Sequence, residues 1–137
     1  MKYLLDTCVI SDMVRGELHT LKKIKSIRPE NLYYSSITLM EILFGLKKNP
    51  TKAKKIWPIL DEFFEKTTLI EFDSKKAELA ASIRFQLQAK GKPIGPYDLL
   101  IAATALTYGY CMVTANTDEF SRVPGLKLLN WRAKATG

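Results

Sequence analysis

The sequence predicts an α/β domain built on a central, mostly parallel five-stranded sheet flanked by helices. Short apolar runs alternate with longer segments of helical period, which is the pattern of strand and crossover-helix units. With 137 residues, 47% of them hydrophobic, the chain has room for one domain, 1–137, and enough apolar surface for a core. No internal repeat, low-complexity tract or interdomain linker interrupts it.

The elements follow in order. Tyr3 to Leu5 is the first strand, ended by Asp6. Val9 to Arg15 and Leu18 to Ile27 have helical period and separate at Gly16, and Pro29 ends the second. Leu32 to Tyr34 is the second strand. Ile37 to Leu46 predicts a compact helix that Gly45 and Pro50 terminate. Lys52 to Lys66 predicts another, amphipathic through Ile56, Leu60, Phe63 and Phe64, with Pro58 kinking it or marking its true start. Leu69 to Phe72 is the third strand. A long helix follows from Ser74, its N-cap, to about Lys90, with Gly91 as the stop. The connector Gly91 to Pro96 leads into a buried helix that carries Asp98 in its first turn and reaches Tyr108. Cys111 to Thr114 and Leu126 to Leu129 complete the sheet.

Several carboxylates interrupt this apolar pattern. Asp6 ends Tyr3-Leu4-Leu5, Glu41 lies between Ile37-Thr38-Leu39-Met40 and Ile42-Leu43-Phe44, and Asp98 opens Leu99-Leu100-Ile101. Buried carboxylates are costly unless a cation compensates them. With Asp118 and Glu119 soon after Cys111-Met112-Val113, the pattern points to acids converging on one divalent cation, and hard oxygen ligands suit magnesium or manganese. In a doubly wound sheet the ligand crevice lies beyond the carboxyl ends of the strands. Asp6 and the segment 114–119 follow strands, while Glu41 and Asp98 sit early in helices, so all four positions belong to that edge. Each acid also has a structural reading. Asp6 can cap the first helix, Asp98 can complement a helix dipole, Glu41 can pair with a buried Arg or Lys, and Asp118 and Glu119 can be loop acids. Glu41 is the hardest to place at a surface, because apolar residues surround it on its helix.

Other chemistry is poorly supplied. The single His19 gives no histidine-based zinc set, the serines lack a triad pattern, and no glycine-rich phosphate loop is present. Asp12 lies beyond the crevice and stays outside the metal shell. Cys8 and Cys111 read as core thiols. No apolar stretch approaches the roughly 20 residues of a membrane span, so a soluble intracellular protein is expected. The net charge of +7 sits away from the acids, in Lys22, Lys23, Lys25 and Arg28 and in Lys47, Lys48, Lys52, Lys54 and Lys55. A basic rim around an acidic centre suits a polyanionic substrate, although lysines on helix faces also serve solubility alone.

The chain resembles the PIN-domain ribonucleases, and among them the VapC-type toxins of toxin–antitoxin pairs. The resemblance rests on Tyr3-Leu4-Leu5-Asp6-Thr7, on Ser36 to Ile42, on Ile94-Gly95-Pro96-Tyr97-Asp98 through Ala103, on Val113 to Phe120 and on Val123-Pro124-Gly125-Leu126. It implies a PIN-like three-layer domain in which Asp6, Glu41 and Asp98 are the catalytic, metal-binding acids with Glu119 as the fourth. Asn116 and Asp118 remain alternatives for that fourth position, and Thr7, Thr114 and Asn116 are supporting polar residues. Cys8 stands where asparagine is frequent. The resemblance further implies a Mg2+ or Mn2+ dependent endoribonuclease that inhibits translation in the cytoplasm. Its expected partners are a structured RNA, a small VapB-like antitoxin and a second copy of the chain, the last suited by Val9, Ile10, Met13, Val14 and Leu18. Two other readings compete with it: a phosphotransfer enzyme on a similar sheet, and a noncatalytic RNA-binding or regulatory module.

Overall fold

Every strand of the sheet is only two to four residues long, so its stability depends on what covers its two faces. The computed structural model describes residues 1–132. In chain order the elements are β1 (Tyr3–Leu5), α1 (Thr7–Arg15), α2 (Leu18–Ser26), a 3-10 turn (Pro29–Asn31), β2 (Leu32–Ser35), α3 (Ser36–Lys48) and α4 (Pro50–Lys66). Then come β3 (Thr68–Ile70), α5 (Ser74–Ala89), α6 (Pro96–Tyr108), β4 (Cys111–Val113), α7 (Thr117–Phe120) and β5 (Leu128–Leu129). The strand order is β3-β2-β1-β4-β5 and all four pairings are parallel, so the sheet is wholly parallel.

Alternation along the strands builds two cores. Leu4 and Met112 face one side, where α5 and α6 pack through Ile83, Leu87, Ile101 and Ala102. Leu5 and Val113 face the other, against Val9, Ile10 and Met13 of α1 and Leu60 and Phe63 of α4. Each leucine fully removed from water contributes roughly 1.5–3 kcal/mol, and Leu4 and Leu5 are both completely buried. The resulting three layers fix the carboxyl ends of β1 and β4 side by side. From β1 the chain winds to β2 and β3 on one flank and returns to β4 and β5 on the other, so the strand order switches there.

Several element boundaries differ from the sequence expectation for identifiable reasons. Helix α3 passes through Gly45 and ends at Lys48. Pro50 then starts α4 instead of ending α3, because its fixed φ suits the first helical position and Asn49 Oδ1 accepts from Lys52 N at 3.2 Å. Pro58 lies inside α4 and does not mark its start. Asp73, one residue before Ser74, is the cap of α5, accepting from Lys76 N. The third and fifth strands are shorter than their apolar runs, since Phe72 and Leu126 pack on the core outside the ladder. The apolar residues of α1 do not form a free face: Val9, Ile10 and Met13 are core. The large apolar side chains left exposed include instead Met40, Leu43 and Phe44 on α3, Trp57 and Ile59 on α4, Phe85 on α5 and Tyr97 and Tyr108 on α6, together with Met1, Leu18 and Leu129.

Asp12 is buried on α1, and its charge is compensated. Arg132 reaches it with Nε at 2.9 Å from Oδ2 and Nη2 at 2.7 Å from Oδ1, and Arg15 also pairs with it. Next to Arg132, Trp131 sets its ring edge against Tyr3 with centroids 5.6 Å apart. The end of the described chain is thereby tied to the start of the fold. Asp12→Ala should lower unfolding free energy by about 2 kcal/mol, the scale of hydrogen bonds to a charged group. A urea unfolding midpoint equal to that of the parent protein would remove this tie from the fold's stability.

Candidate active site

Asp6 stands where β1 ends and α1 begins, and both roles open to it in the sequence are filled at once. Its Oδ1 accepts from Thr7 N at 2.8 Å, which caps α1, while Oδ2 accepts from Thr114 Oγ1 at 2.8 Å and from the Cys8 thiol at 3.6 Å. Its own amide donates to the carbonyl of Val113 at 2.9 Å, continuing the β1–β4 pairing. Thr114 is fully buried, and its hydroxyl also accepts from Asn116 N at 3.0 Å. Cys8 is therefore half-buried at the site and not a core thiol, whereas Cys111 is buried as expected. Burial pushes the Asp6 carboxyl up, and the bonds from Thr114 and Thr7 oppose that shift.

Glu41 reaches the same corner from α3 and accepts from Thr7 Oγ1 at 2.6 Å. The expectation that apolar neighbours enclose it is overturned. Glu41 is only half-buried, because Met40, Leu43 and Phe44 turn outward instead of packing around it. No Lys or Arg pairs with it among the described residues.

Asp98 is brought in by the first turn of α6. It is pushed up to about 7, first by burial and then by the charges of Glu119, Asp6 and Glu41, so four acids from four elements share one field. Glu119 belongs to the short helix α7 and is not a free loop acid. Its Oε1 accepts from Gly95 N at 2.6 Å and its Oε2 from Asn116 Nδ2 at 2.6 Å. The Gly95 amide, seconded by Asn116, holds Glu119 below the usual carboxylate range against its partial burial. Asn116 spends its side-chain amide on Glu119. Asp118 is exposed and is not among the charges that raise Asp98. Two contributors carried no signal in the residue pattern: the Cys8 thiol on Asp6 and the Gly95 amide on Glu119. At Gly95 a Cβ would lie 3.3 Å from Asp98 Oδ2 and 3.6 Å from Glu119 Oε1, which explains a glycine before Pro96.

Among the described residues no three His, Cys, Asp or Glu side chains are spaced to hold an ion between them. The donor set nevertheless fits a small hard cation, since magnesium keeps several waters and takes only one or two carboxylates directly. The mutual repulsion that raises Asp98 is the charge such an ion would offset. A groove of about 220 Å³ runs from Thr7 and Glu41 between α1, α3 and α4, lined further by Val14, Leu46, Ile56 and Leu60. Of the five lysines singled out in the sequence, Lys52 lines this groove, Lys47 and Lys54 line neighbouring depressions, and Lys48 lies over the Phe44 ring at 4.8 Å; all five are exposed. His19 is half-buried on α2, away from the acids' hydrogen bonds.

The family model "PIN domain" matches residues 3–126. The chain belongs to the PIN-domain family, among its VapC ribonucleases. It is 30% identical over 131 residues to the tRNA(fMet)-specific endonuclease VapC of Salmonella typhimurium, covering 96% of this chain and 98% of that one. With ribonuclease VapC2 of Rickettsia felis it is 36% identical over 138 residues, again covering 96% and 98%. The crystal structure of VapBC2 from Rickettsia felis bound to a promoter DNA fragment superposes with a TM-score of 0.87 at 32% identity, covering 96% of this chain and 99% of that one.

Asp98 makes the metal-free protein sensitive to pH. Its folded pKa lies above its unfolded value, so its contribution to stability is full below about pH 4 and is lost as pH rises toward 7. Without divalent cations, unfolding free energy should fall across that window by on the order of 1–2 kcal/mol once solvent screening is allowed for. Glu119, held low, acts in the opposite sense at lower pH and does not mask the effect. Urea titrations of the parent protein and Asp98→Asn in EDTA check this. A fall of equal size in both proteins would place its origin elsewhere.

Proposed function

We infer that this protein is a metal-dependent endoribonuclease acting as the toxin of a toxin–antitoxin pair. The observation that supports it most directly is the convergence of Asp6, Glu41, Asp98 and Glu119 on one corner of the sheet, none of them in an ion pair with a Lys or Arg among the described residues. The relatives named as VapC ribonucleases support the same reading.

Asp6 and Asp98 would hold a Mg2+ or Mn2+ ion, with Glu41 and Glu119 completing or orienting the shell. When bound, the ion supplies a more acidic water and offsets charge developing on the phosphate. The chain's own residues do the rest. Thr114, Cys8 and the Thr7 amide fix the direction of the Asp6 oxygens, and Thr7 Oγ1 fixes Glu41. Asp98 would have to give up its proton to hold a cation, so affinity for the cation should weaken as pH falls below neutrality. Glu119 stays charged and anchored to Gly95. With water as the nucleophile and the ribose 2′-hydroxyl taking no part, the products would carry a 3′-hydroxyl and a 5′-phosphate.

The substrate class is a structured RNA with an unstacked loop, since splayed nucleotides enter a narrow acidic cleft that a duplex does not. The Salmonella relative is named for tRNA(fMet), which makes tRNA loops the first substrates to try. Cutting such an RNA would inhibit translation and requires a cytoplasmic location. Among the described residues no helix is long and apolar enough to cross a membrane. The groove beside Glu41 suits an apolar segment of a small VapB-like antitoxin, and similar structures are VapBC complexes. The exposed Met40, Leu43, Phe44, Phe85 and Tyr97 suit a homodimer better than the buried residues of α1.

The purified protein should cut structured RNA with Mg2+ or Mn2+ and not in EDTA, leaving 5′-phosphate ends. Asp6→Asn and Asp98→Asn should each lower the rate at least about a hundredfold while remaining folded, given that even outer-shell changes cost 10–100-fold. RNA binding without cleavage under either cation would favour the noncatalytic module. If the lysines from Lys47 to Lys55 guide RNA, removing each lysine that pairs with a phosphate should flatten the log–log salt dependence of binding by roughly 0.7. Binding by Asp98→Asn protein with and without Lys47, Lys48, Lys52, Lys54 and Lys55 neutralised is the measurement. Equal slopes would make these lysines ordinary solvated surface.

A further inference from the structure

Gly95 is the N-cap of α6 yet has no side chain with which to cap it, and Pro96 at the next position has no amide to offer. Two side chains from outside α6 hold the connector that leads into it. Glu119 Oε1 accepts from Gly95 N at 2.6 Å, and Arg122 Nη1 donates to the carbonyl of Pro93 at 2.8 Å. Both side chains come from one turn of backbone, because Arg122 N donates to the carbonyl of Glu119 at 3.2 Å. That turn is anchored in the core by Phe120 and Val123, both of which are buried. Two bonds at separate points fix the connector's orientation, where a single bond would leave it free to pivot. The connector's position is felt directly by Asp98, since the Gly95 backbone runs close enough that a Cβ there would meet Asp98 Oδ2 at 3.3 Å.

We propose that Arg122 is a positioning residue: with Glu119 it latches residues 93–95 to the turn at 119–122, and so sets where α6 places Asp98 relative to Asp6. Arg122 binds a backbone carbonyl and makes no ion pair among the described residues, although its charge is one of the influences that hold Glu119 low, an influence that Arg122→Lys retains. A displacement of Asp98 by a fraction of an ångström is enough to alter a reaction that depends on aligned oxygens.

Only the kinetic arm of the test rests on the ribonuclease reading. Arg122→Gln and Arg122→Lys are compared with the parent protein by amide hydrogen exchange at Gly95, by kcat and KM for RNA cleavage, and by thermal unfolding. In Arg122→Gln the Gly95 amide should exchange about three- to tenfold faster, as expected for a local opening restrained by one bond instead of two. Its kcat should fall by about three- to tenfold with KM within about twofold, the pattern of misplaced chemistry and not of weakened binding. Arg122→Lys keeps a charged donor of nearly the reach of arginine to the Pro93 carbonyl, which the shorter, neutral glutamine amide does not, and should recover most of both effects. Unchanged exchange at Gly95 would overturn the latch whatever the activity. Faster exchange with unchanged kcat would overturn the positioning role. A rise in KM alone, with a shallower salt dependence, would overturn it in favour of a phosphate contact. If the parent protein cuts no RNA, the ribonuclease reading fails, while exchange at Gly95 still decides the latch.

Discussion

The carboxylate of Asp6 is held from three sides, and the arrangement of the rest of the site depends on those bonds. One oxygen caps α1 through Thr7 N, and the other takes the Thr114 hydroxyl from the end of β4. The Asp6 amide continues the pairing of β1 with β4. Strand register, helix entry and side-chain direction are therefore set by one residue at the point where strand order switches. Thr7, fixed by the same cap, carries the hydroxyl that holds Glu41, so α3 is drawn to the corner through a side chain that begins α1. The capping role and the role in the site are not alternatives here. The bonds that start the helix are the bonds that aim the carboxylate.

Bringing acids together creates an electrostatic imbalance that the fold distributes unevenly. Glu119 receives two donors, Gly95 N and Asn116 Nδ2, and is held in the charged form. Asp98 has no comparable set, and burial first, then the charges of Glu119, Asp6 and Glu41, push it up to about 7. Environments that push neighbouring carboxyl groups apart in this way assign them different tasks. Glu119 is a charge tied to backbone, and Asp98 is the group of the pair whose proton is held more tightly.

Much of this is legible from residue order, and the failures have a common physical origin. Five strands and their parallel arrangement follow from apolar runs separated by helix-length segments, and the acids' position follows from their place after strands and early in helices. Residue order misplaces the helix boundaries at Asn49-Pro50 and Asp73-Ser74 because the side chain that satisfies an orphan amide is visible only when its geometry is. The environment of Glu41 departs from expectation for a different reason. Apolar residues around a helix predict burial on all sides only if the domain itself supplies the cover, and α3 leaves Met40, Leu43 and Phe44 to solvent. Helical period likewise gives no way to tell that α1 is core on the face that suited a partner. The bond from Gly95 to Glu119 joins residues far apart in sequence, and although Cys8 lies only two residues from Asp6, no local pattern announces either bond.

Asp12 and Asp6 lie six residues apart, both buried, and they show why burial alone does not identify a site. Asp12 has two guanidinium partners, one of them bidentate from the end of the described chain, and with its charge offset it acts as a tie between α1 and Arg132. Asp6 has hydroxyl, thiol and amide donors but no ion pair among the described residues, and the same holds for the other carboxylates of the corner, although the charge of Arg122 acts on Glu119. A buried acid paired with arginine is complete in the folded chain. The acids around Asp6 are oriented instead by neutral donors, from Thr7, Thr114, Asn116 and Gly95, so their negative charge stays uncompensated within the described residues, and that difference in partners, not burial, is what separates the corner from Asp12.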